Sequence, residues 1–290
     1  MMTIGIHANL GKPEVREILP DLVDWLNARQ VRTVICGDLG SHMPLDPEKI
    51  ETISQSEFCL RSDLVIVLGG DGTMLAAARL LGQHAKPLLG INLGRLGFLT
   101  ATSPSNMYPF LESVIRNEYQ VEKRMILDVA VAEKGEESSY FALNEVVVDR
   151  GGISRLIRIH VHVNGEPFNI YDADGIIVAT PTGSTAYSLA SGGPIVHPAL
   201  DSILLTPVCP HSLSERPTIL PPDSKISIRV PSTEPEASLS IDGQITVAMN
   251  PETEVRIRKG SHHIHIVTLP DRSFYDVLRK KLGWGSRIRE

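Results

Sequence analysis

The sequence predicts an α/β N-terminal domain, a parallel sheet flanked by helices, followed by an all-β C-terminal domain of two layers. Three observations carry this. Up to about residue 121, short apolar runs alternate with stretches of helical spacing. From 122 to 269, runs of alternating polar and apolar residues follow one another, separated by turn residues. An amphipathic stretch within 270–290 closes the chain, and we expect it to join the first domain.

In order, "TIGIHA" (3–8) reads as a short strand. Residues 13–29 place Val15, Ile18, Leu19, Leu22, Trp25 and Leu26 at helix spacing, with Pro13 suited to a first turn. "VRTVIC" (31–36) is β-branched, and 63–68 is a strand without alternation, hence buried on both faces. A helix is expected over 73–81, a strand over 87–92 and a helix over 105–117. Strand–helix alternation implies parallel pairing. The second part offers "MILDVAVAE", "YFALNEVVVD", "RLIRIHVHVNG", "GIIVAT", "SILLTPV", "KISIRV", "ASLSIDGQITV", "EVRIRKG" and "HHIHIVTL", which suit antiparallel layers. In the tail, Phe274, Val277, Leu278 and Leu282 form one helical stripe.

Composition narrows the function classes. With 28 Lys and Arg against 34 Asp and Glu, the net charge of −6 provides no broad basic footprint, so we expect no nucleic-acid partner. Cys36, Cys59 and Cys209 are odd in number and far apart, and read as buried free thiols of a reducing cytoplasm. "MMTIGIHANL" lacks the basic flank and long apolar core of a signal peptide. No apolar run approaches the roughly 20 residues that span a bilayer, so no membrane partner is expected.

Two stretches carry chemistry. In "LVIVLGGDGTMLAAARLL" (64–81), a buried strand stops at Gly69, Gly70, Asp71, Gly72 and Thr73, and a helix begins. Open parallel sheets bind ligands beyond the carboxyl ends of their strands. Glycine N–H groups with a helix N-terminus there form an anion-binding concavity. Asp71 is out of place in such a cradle: a carboxylate repels phosphate unless a cation or a proton-bearing group lies between them. It points to chemistry beside the phosphate or to a metal. The alternative is a turn aspartate capping the helix that begins near Thr73. There is no G-x-x-x-x-G-K-[ST], no G-x-G-x-x-G after a strand, no G-x-S-x-G and no H-E-x-x-H. "HHIHI" (262–266) places His263 and His265 on one strand face and His262 on the other, and is expected to be solvated rather than metal-binding.

The second stretch is "DADGIIVATPTGSTAYSLASGGPIVHP" (172–198). Thr180, Thr182, Ser184, Thr185, Tyr187 and Ser188 crowd hydroxyls between a strand and a short helix expected from about Ser184. Gly183, Gly192 and Gly193 allow close approach, and Tyr187 offers a stacking face. A Thr/Ser-capped helix explains one or two of these hydroxyls, not their density. Upstream, Asn144 and Glu145 open a strand, where they would receive adenine amino and ribose hydroxyl groups or else form a solvated strand end.

Together, "GGDGT" (69–73), "NLGRLGFL" (92–99), "NE" (144–145), "TPTGSTAYSLASGGPI" (180–195) and "DGQ" (242–244) resemble the NAD kinase family, in the family's order and over nearly the whole chain. The first motif is shared with diacylglycerol-type lipid kinases; the 180–195 block is far more specific. The resemblance implies an NAD kinase-like two-domain fold with the active site between the domains. It implies phosphorylation of the adenosine ribose 2′-OH of NAD⁺ by ATP or polyphosphate, with Mg²⁺, in a homodimer or homotetramer of bacterial type. It places Asp71 and Gly72 at the reacting ribose, Asp71 as the catalytic residue, beside Gly69, Gly70 and Thr73. It places Asn144, Glu145, Asp174, Thr182, Ser184, Thr185, Ala186, Tyr187, Ser188 and Gln244 with the nucleotide, Gln244 without a catalytic role. A lipid kinase sharing the glycine–aspartate turn and a non-catalytic dinucleotide sensor are the rival readings.

Overall fold

A computed structural model describes residues 1–37, 45–94, 97–152, 155–231, 237–268 and 273–284. Arg95 and Leu96 of the 92–99 motif lie outside them. The chain divides into two compact units, Met1–Lys123 with Ile264–Glu290, and Arg124–His263.

The first unit contains β1 (Thr3–Ala8), α1 (Glu14–Asn27), β2 (Arg32–Cys36), β3 (Glu51–Ile53), α2 (Gln55–Arg61), β4 (Leu64–Gly69), α3 (Asp71–Leu81), β5 (Leu88–Asn92) and α4 (Met107–Ile115). The strands pair in parallel in the order β5-β4-β1-β2-β3. Strand alternation decides which helix lies on which face. Ile4 and Ile6 of β1, with Ile66 and Leu68 of β4, pack with Val15, Leu19, Leu22 and Leu26 of α1 and with Phe110, Leu111 and Val114 of α4. Gly5 faces the other way, where a Cβ would press on the Phe58 ring of α2 and on Ser62. Parallel strands with helices on both faces leave no wet face, which is why β4 is buried along its whole length.

The second unit begins within β6 (Gln120–Glu133) and continues through β7 (Glu136–Ala142), β8 (Glu145–Asp149), β9 (Ile157–Val163), β10 (Glu166–Ala173), β11 (Gly175–Ala179), α5 (Tyr187–Ala190), β12 (Ile203–Val208), β13 (Thr218–Leu220), β14 (Ile226–Arg229), β15 (Ala237–Ile241), β16 (Ile245–Met249) and most of β17 (Glu254–Thr268). One layer is a six-stranded sheet, β13-β12-β11-β8-β15-β16, antiparallel throughout. The other contains β10-β9-β14-β17, with β6 paired to β17 and β7. Every second residue faces the shared core. Val146, Val148, Ile176, Val178, Leu239 and Ile241 of one layer meet Ile157, Ile159, Val161, Ile226, Ile228 and Val255 of the other. The opposite face of the six-stranded sheet is apolar as well. Val147, Ile177, Ala179 and Leu204 form a smaller cluster with Val196, so the hydroxyl-rich segment ending there packs over β8 and β11.

The chain closes with α6 (Phe274–Leu282), which buries Val277 and Leu278. Ser273 caps its N-terminus, its side chain accepting from Tyr275 N–H.

The structure departs from the sequence expectations at several points. The helix expected over 73–81 begins at Asp71, because Gly70 takes the extended cap position (φ −111°, ψ −165°). The helix expected over 105–117 is shorter, Met107–Ile115, behind a single 3₁₀ turn at Pro104–Asn106. The helix expected from Ser184 is a 3₁₀ turn, Gly183–Thr185, followed by α5. β3 and α2 are additional to the elements the sequence predicts, although Ser54 and Glu57 form a full capping box at the start of α2. Of the three cysteines, only Cys59 is buried; Cys36 is half-buried and Cys209 exposed. Two of the three histidines of β17, His262 and His265, are packed rather than solvated. His265 Nδ1 is 2.9 Å from the Ala85 carbonyl, and His262 meets Phe141 edge-on with both ring nitrogens buried. Burial lowers the His262 pKa. No cluster of metal-ligating side chains occurs among the described residues.

Candidate active site

In the first unit the site is built at the carboxyl ends of β4 and β5. Gly69 is buried under Thr73: a Cβ at Gly69 would overlap the Thr73 side chain. Thr73 Oγ1 accepts Gly70 N–H at 3.3 Å, and the exposed Gly72 follows. The turn is therefore closed from beneath by Thr73, with Gly72 exposed at its surface.

Asp71 stands at the first position of α3, and its carboxylate reaches across to the loop after β5. Phe98 N–H donates to Oδ2 at 2.9 Å and Leu99 N–H to Oδ1 at 3.0 Å. Gly97 makes this approach feasible, since a Cβ there would overlap the carboxylate. "GFL" in the 92–99 motif and "D" in the first motif are thus two halves of one clamp. The carboxylate is oriented by the neighbouring loop, with each oxygen keeping lone pairs beyond its one N–H. Its side chain is 30% exposed. Lys281 of α6, which the sequence reading did not single out, brings Nζ to 4.0 Å from Asp71 Oδ2.

In the second unit the ordering group is Asp242, in the turn between β15 and β16. Its left-handed backbone (φ 50°) and that of Gly243 (φ 63°) make the turn. Its carboxylate accepts N–H from Leu143 (3.0 Å), Asn144 (2.8 Å) and Glu145 (3.1 Å), so the start of β8 is wrapped around it. Asp242 N–H in turn donates to the Glu145 carbonyl at 2.9 Å. Glu145 is 7% exposed, with Oε2 buried and unpartnered, so it is no solvated strand end. Desolvation, followed by the Asp242 charge, pushes its pKa up to about 8 against a small opposing contribution from Tyr187 N–H. At neutral pH Glu145 is therefore a buried carboxylic acid beside a carboxylate.

The hydroxyls of 180–188 are mostly engaged within the protein. Thr180 Oγ1 donates to the Leu143 carbonyl (2.6 Å) and accepts Gly183 N–H (3.1 Å). Ser184 Oγ donates to the Pro181 carbonyl (2.6 Å) and accepts Val196 N–H (3.0 Å). Thr185 Oγ1 donates to the Thr182 carbonyl, and Ser188 and Thr206 share a hydrogen bond. Gly183 and Gly193 are small for internal reasons: a Cβ would strike the Asn144 carbonyl or the Ser188 side chain. Thr182 is buried, whereas Thr185 and Ala186 are half-buried and Tyr187 is 45% exposed. Burial raises the Tyr187 pKa, with Asp149, Cys209 and Asp174 adding to the effect. Asp174 pairs with Arg150 (3.3 Å), and Gln244 is exposed on the Asp242 turn. Asn144, Glu145 and Asp242 are thus brought together directly, and the base of the 180–188 loop is fastened to the same β8 start.

The ATP-NAD kinase N-terminal domain family matches residues 4–119, and the ATP-NAD kinase C-terminal domain family matches 143–269. The chain belongs to the NAD kinase family. It is an enzyme of the transferase class. The NAD kinase of Magnetococcus marinus is 41% identical over 289 residues, covering 99% of this chain and 95% of the relative. That of Heliobacterium modesticaldum is 42% identical over 290 residues, covering 98% and 100%. Among solved structures, yeast NADH kinase complexed with NADH superposes with a TM-score of 0.92 at 28% identity, covering 100% of this chain and 89% of the other. An NAD kinase from Archaeoglobus fulgidus in complex with ATP gives 0.76 at 25% identity, covering 98% and 100%. The lipid-kinase reading is not favoured by these relatives. No helix among the described residues is long and apolar enough to cross a membrane.

Proposed function

We propose that this NAD kinase transfers the terminal phosphoryl of ATP, or of polyphosphate, to the 2′-hydroxyl of the adenosine ribose of NAD⁺, giving NADP⁺. The carrying observation is the Asp71 carboxylate, held by Phe98 and Leu99 N–H beside the glycine turn that ends β4. In the reaction the ribose O–H bond breaks and a ribose O–P bond forms. The bond from the terminal phosphorus to its bridging oxygen breaks, and ADP or the shortened polyphosphate leaves with the electron pair. The hydroxyl proton passes to Asp71 and then to solvent. A carboxylate is a weak base toward an alcohol, but in a loose transition state the proton departs late and orientation matters most.

Gly70 lines the donor's phosphate cradle and Gly72 stands beside the reacting ribose, while Gly69 and Thr73 close the turn from beneath. Asn144, Glu145, Asp174, Thr182, Thr185, Ala186, Tyr187 and Gln244 serve the dinucleotide, with Tyr187 as the stacking face, while Ser184 and Ser188 shape the loop that presents them. The arrangement fits a magnesium ion arriving on the donor. Mg²⁺ needs only one or two protein carboxylates, and Asp71 keeps lone pairs beside the cradle. When bound, the ion neutralises phosphate charge. A homodimer or homotetramer in the cytoplasm completes the proposal on the family resemblance, and light scattering on the purified protein tests the assembly.

The deciding experiment incubates the protein with NAD⁺, Mg²⁺ and either ATP or polyphosphate, and measures NADP⁺. NADH and diacylglycerol serve as alternative acceptors. NADP⁺ formation is expected with at least one donor. Failure with every donor, or phosphorylation of diacylglycerol instead, would overturn the reading.

A further inference from the structure

A phosphate chain over the Gly70–Thr73 turn would lie beside the Asp71 carboxylate, and the two anions repel. The C-terminal helix supplies a cation at that point. Lys281 follows the buried Val277 by four residues and Leu278 by three, so its stem runs along their face of α6, although it is exposed, as its neighbour Lys280 is. The helix is fixed at that end by Gly283, whose left-handed backbone (φ 67°) terminates it. Phe274 packs against Phe98, with ring centroids 6.4 Å apart. Lys281 Nζ lies 5.1 Å from the centroid of the same Phe98 ring and 4.0 Å from Asp71 Oδ2, the oxygen that Phe98 N–H also serves.

We propose that Lys281 is a positioning residue for the phosphoryl donor: its ammonium screens Asp71 and swings onto a phosphate oxygen when the donor arrives. The proposal rests on the phosphoryl-transfer reading above. The geometry suits a mobile cation better than a structural pin. At 4.0 Å, with side chains 32% and 30% exposed, the pair is too loose and too wet to add much to stability. A lysine is a point charge on a flexible stem, able to exchange one anion for another. The location answers the question posed by an acidic residue within a phosphate cradle, because the compensating charge comes from a residue 210 positions along the chain.

The test compares Lys281→Met, Lys281→Arg and Lys280→Met in the full chain, using Mg·ATP and Mg·polyphosphate as separate donors and NAD⁺ as acceptor. K281M should lower kcat/KM for the donor by about 10- to 100-fold, while the KM for NAD⁺ changes less than about twofold and the melting temperature by less than about 2 °C. K281R should recover most of the loss, and K280M, with the same net charge as K281M, should match the parent. ATP affinity by calorimetry provides a second readout: K281M should weaken it less in a D71N background, where there is no charge to screen. An active parent with unchanged donor constants in K281M would overturn the lysine's role alone. So would a loss in K281M that K281R fails to restore. A parent inert toward every donor would overturn the phosphoryl-transfer reading itself.

Discussion

Asp71 begins α3 but is held by another loop, and that separates its chemical role from a capping role. Asp71→Asn retains an acceptor for one of the two N–H groups, so stability should fall by only about 1 kcal/mol, while turnover falls by at least about 10². Thermal melting alongside NADP⁺ formation separates the two; equal losses would restore the capping reading. Gly97→Ala tests the same carboxylate from the other side, because its Cβ would overlap Asp71. Turnover should fall as in D71N, with the acidic group still present, as measured in the same assay. Glu145 carries a different signature. Its pKa rises from 4.5 to about 8 on folding, mainly by burial. The folded state then holds a proton that the unfolded state releases. This contribution is fully present below about pH 4.5 and is lost as pH rises to about 8, with a slope near 1.4 kcal/mol per pH unit. Glu145→Gln, which is neutral at every pH, should flatten the stability profile across that window. Urea melts at several pH values check it, and an unchanged slope would assign the proton elsewhere.

At the scale of elements, the loop over β8 and β11 shows what the sequence revealed and what it withheld. The crowding of small and hydroxyl residues at 180–193 was legible, as was the buried β4 ending in glycines. The partners of the hydroxyls were not, since the bonds from Ser184 to Val196 and from Thr180 to Leu143 depend on a fold that lays this loop on the sheet. The true start of α3 was likewise hidden, because Gly70 has no side chain to announce a cap. α2 has its capping box in Ser54 and Glu57, but a seven-residue helix carries too little periodicity to stand out in the sequence. The clamp on Asp71 and the approach of Lys281 join segments with no local signal linking them. From the hydrogen bonds, Ser184→Ala should lower stability by about 1–3 kcal/mol, because it strands the buried Val196 N–H. Gly183→Ala should cost about as much or more, since its Cβ meets the Asn144 backbone, which cannot swing aside. Denaturant unfolding measures both.

At the scale of the whole molecule, the chain's path determines which part can stand alone. The change of periodicity near residue 122 is visible in the sequence. The return to the first unit at Ile264 is not, because β17 runs as one strand from Glu254 to Thr268 across that point with no turn to mark it. The consequence is asymmetric. Arg124–His263 is one continuous stretch, and its main core draws every residue from within it. Met1–Lys123 is incomplete: its sheet is extended at β5 by the Ile266–Leu88 pairing, and Val267 is fully buried in its core. Without 264–290 the Leu88 end of the β5 edge loses its partner, although Ile91 stays bridged to Thr102, and the core loses Val267, an arrangement that favours aggregation over folding. Expressed separately, 124–263 should therefore unfold in one cooperative transition by circular dichroism, while 1–123 should show none. Supplying the C-terminal stretch to 1–123 through a short glycine–serine linker should restore cooperativity. Cooperative melting of the bare 1–123 fragment would show that β17 and α6 contribute little to that core.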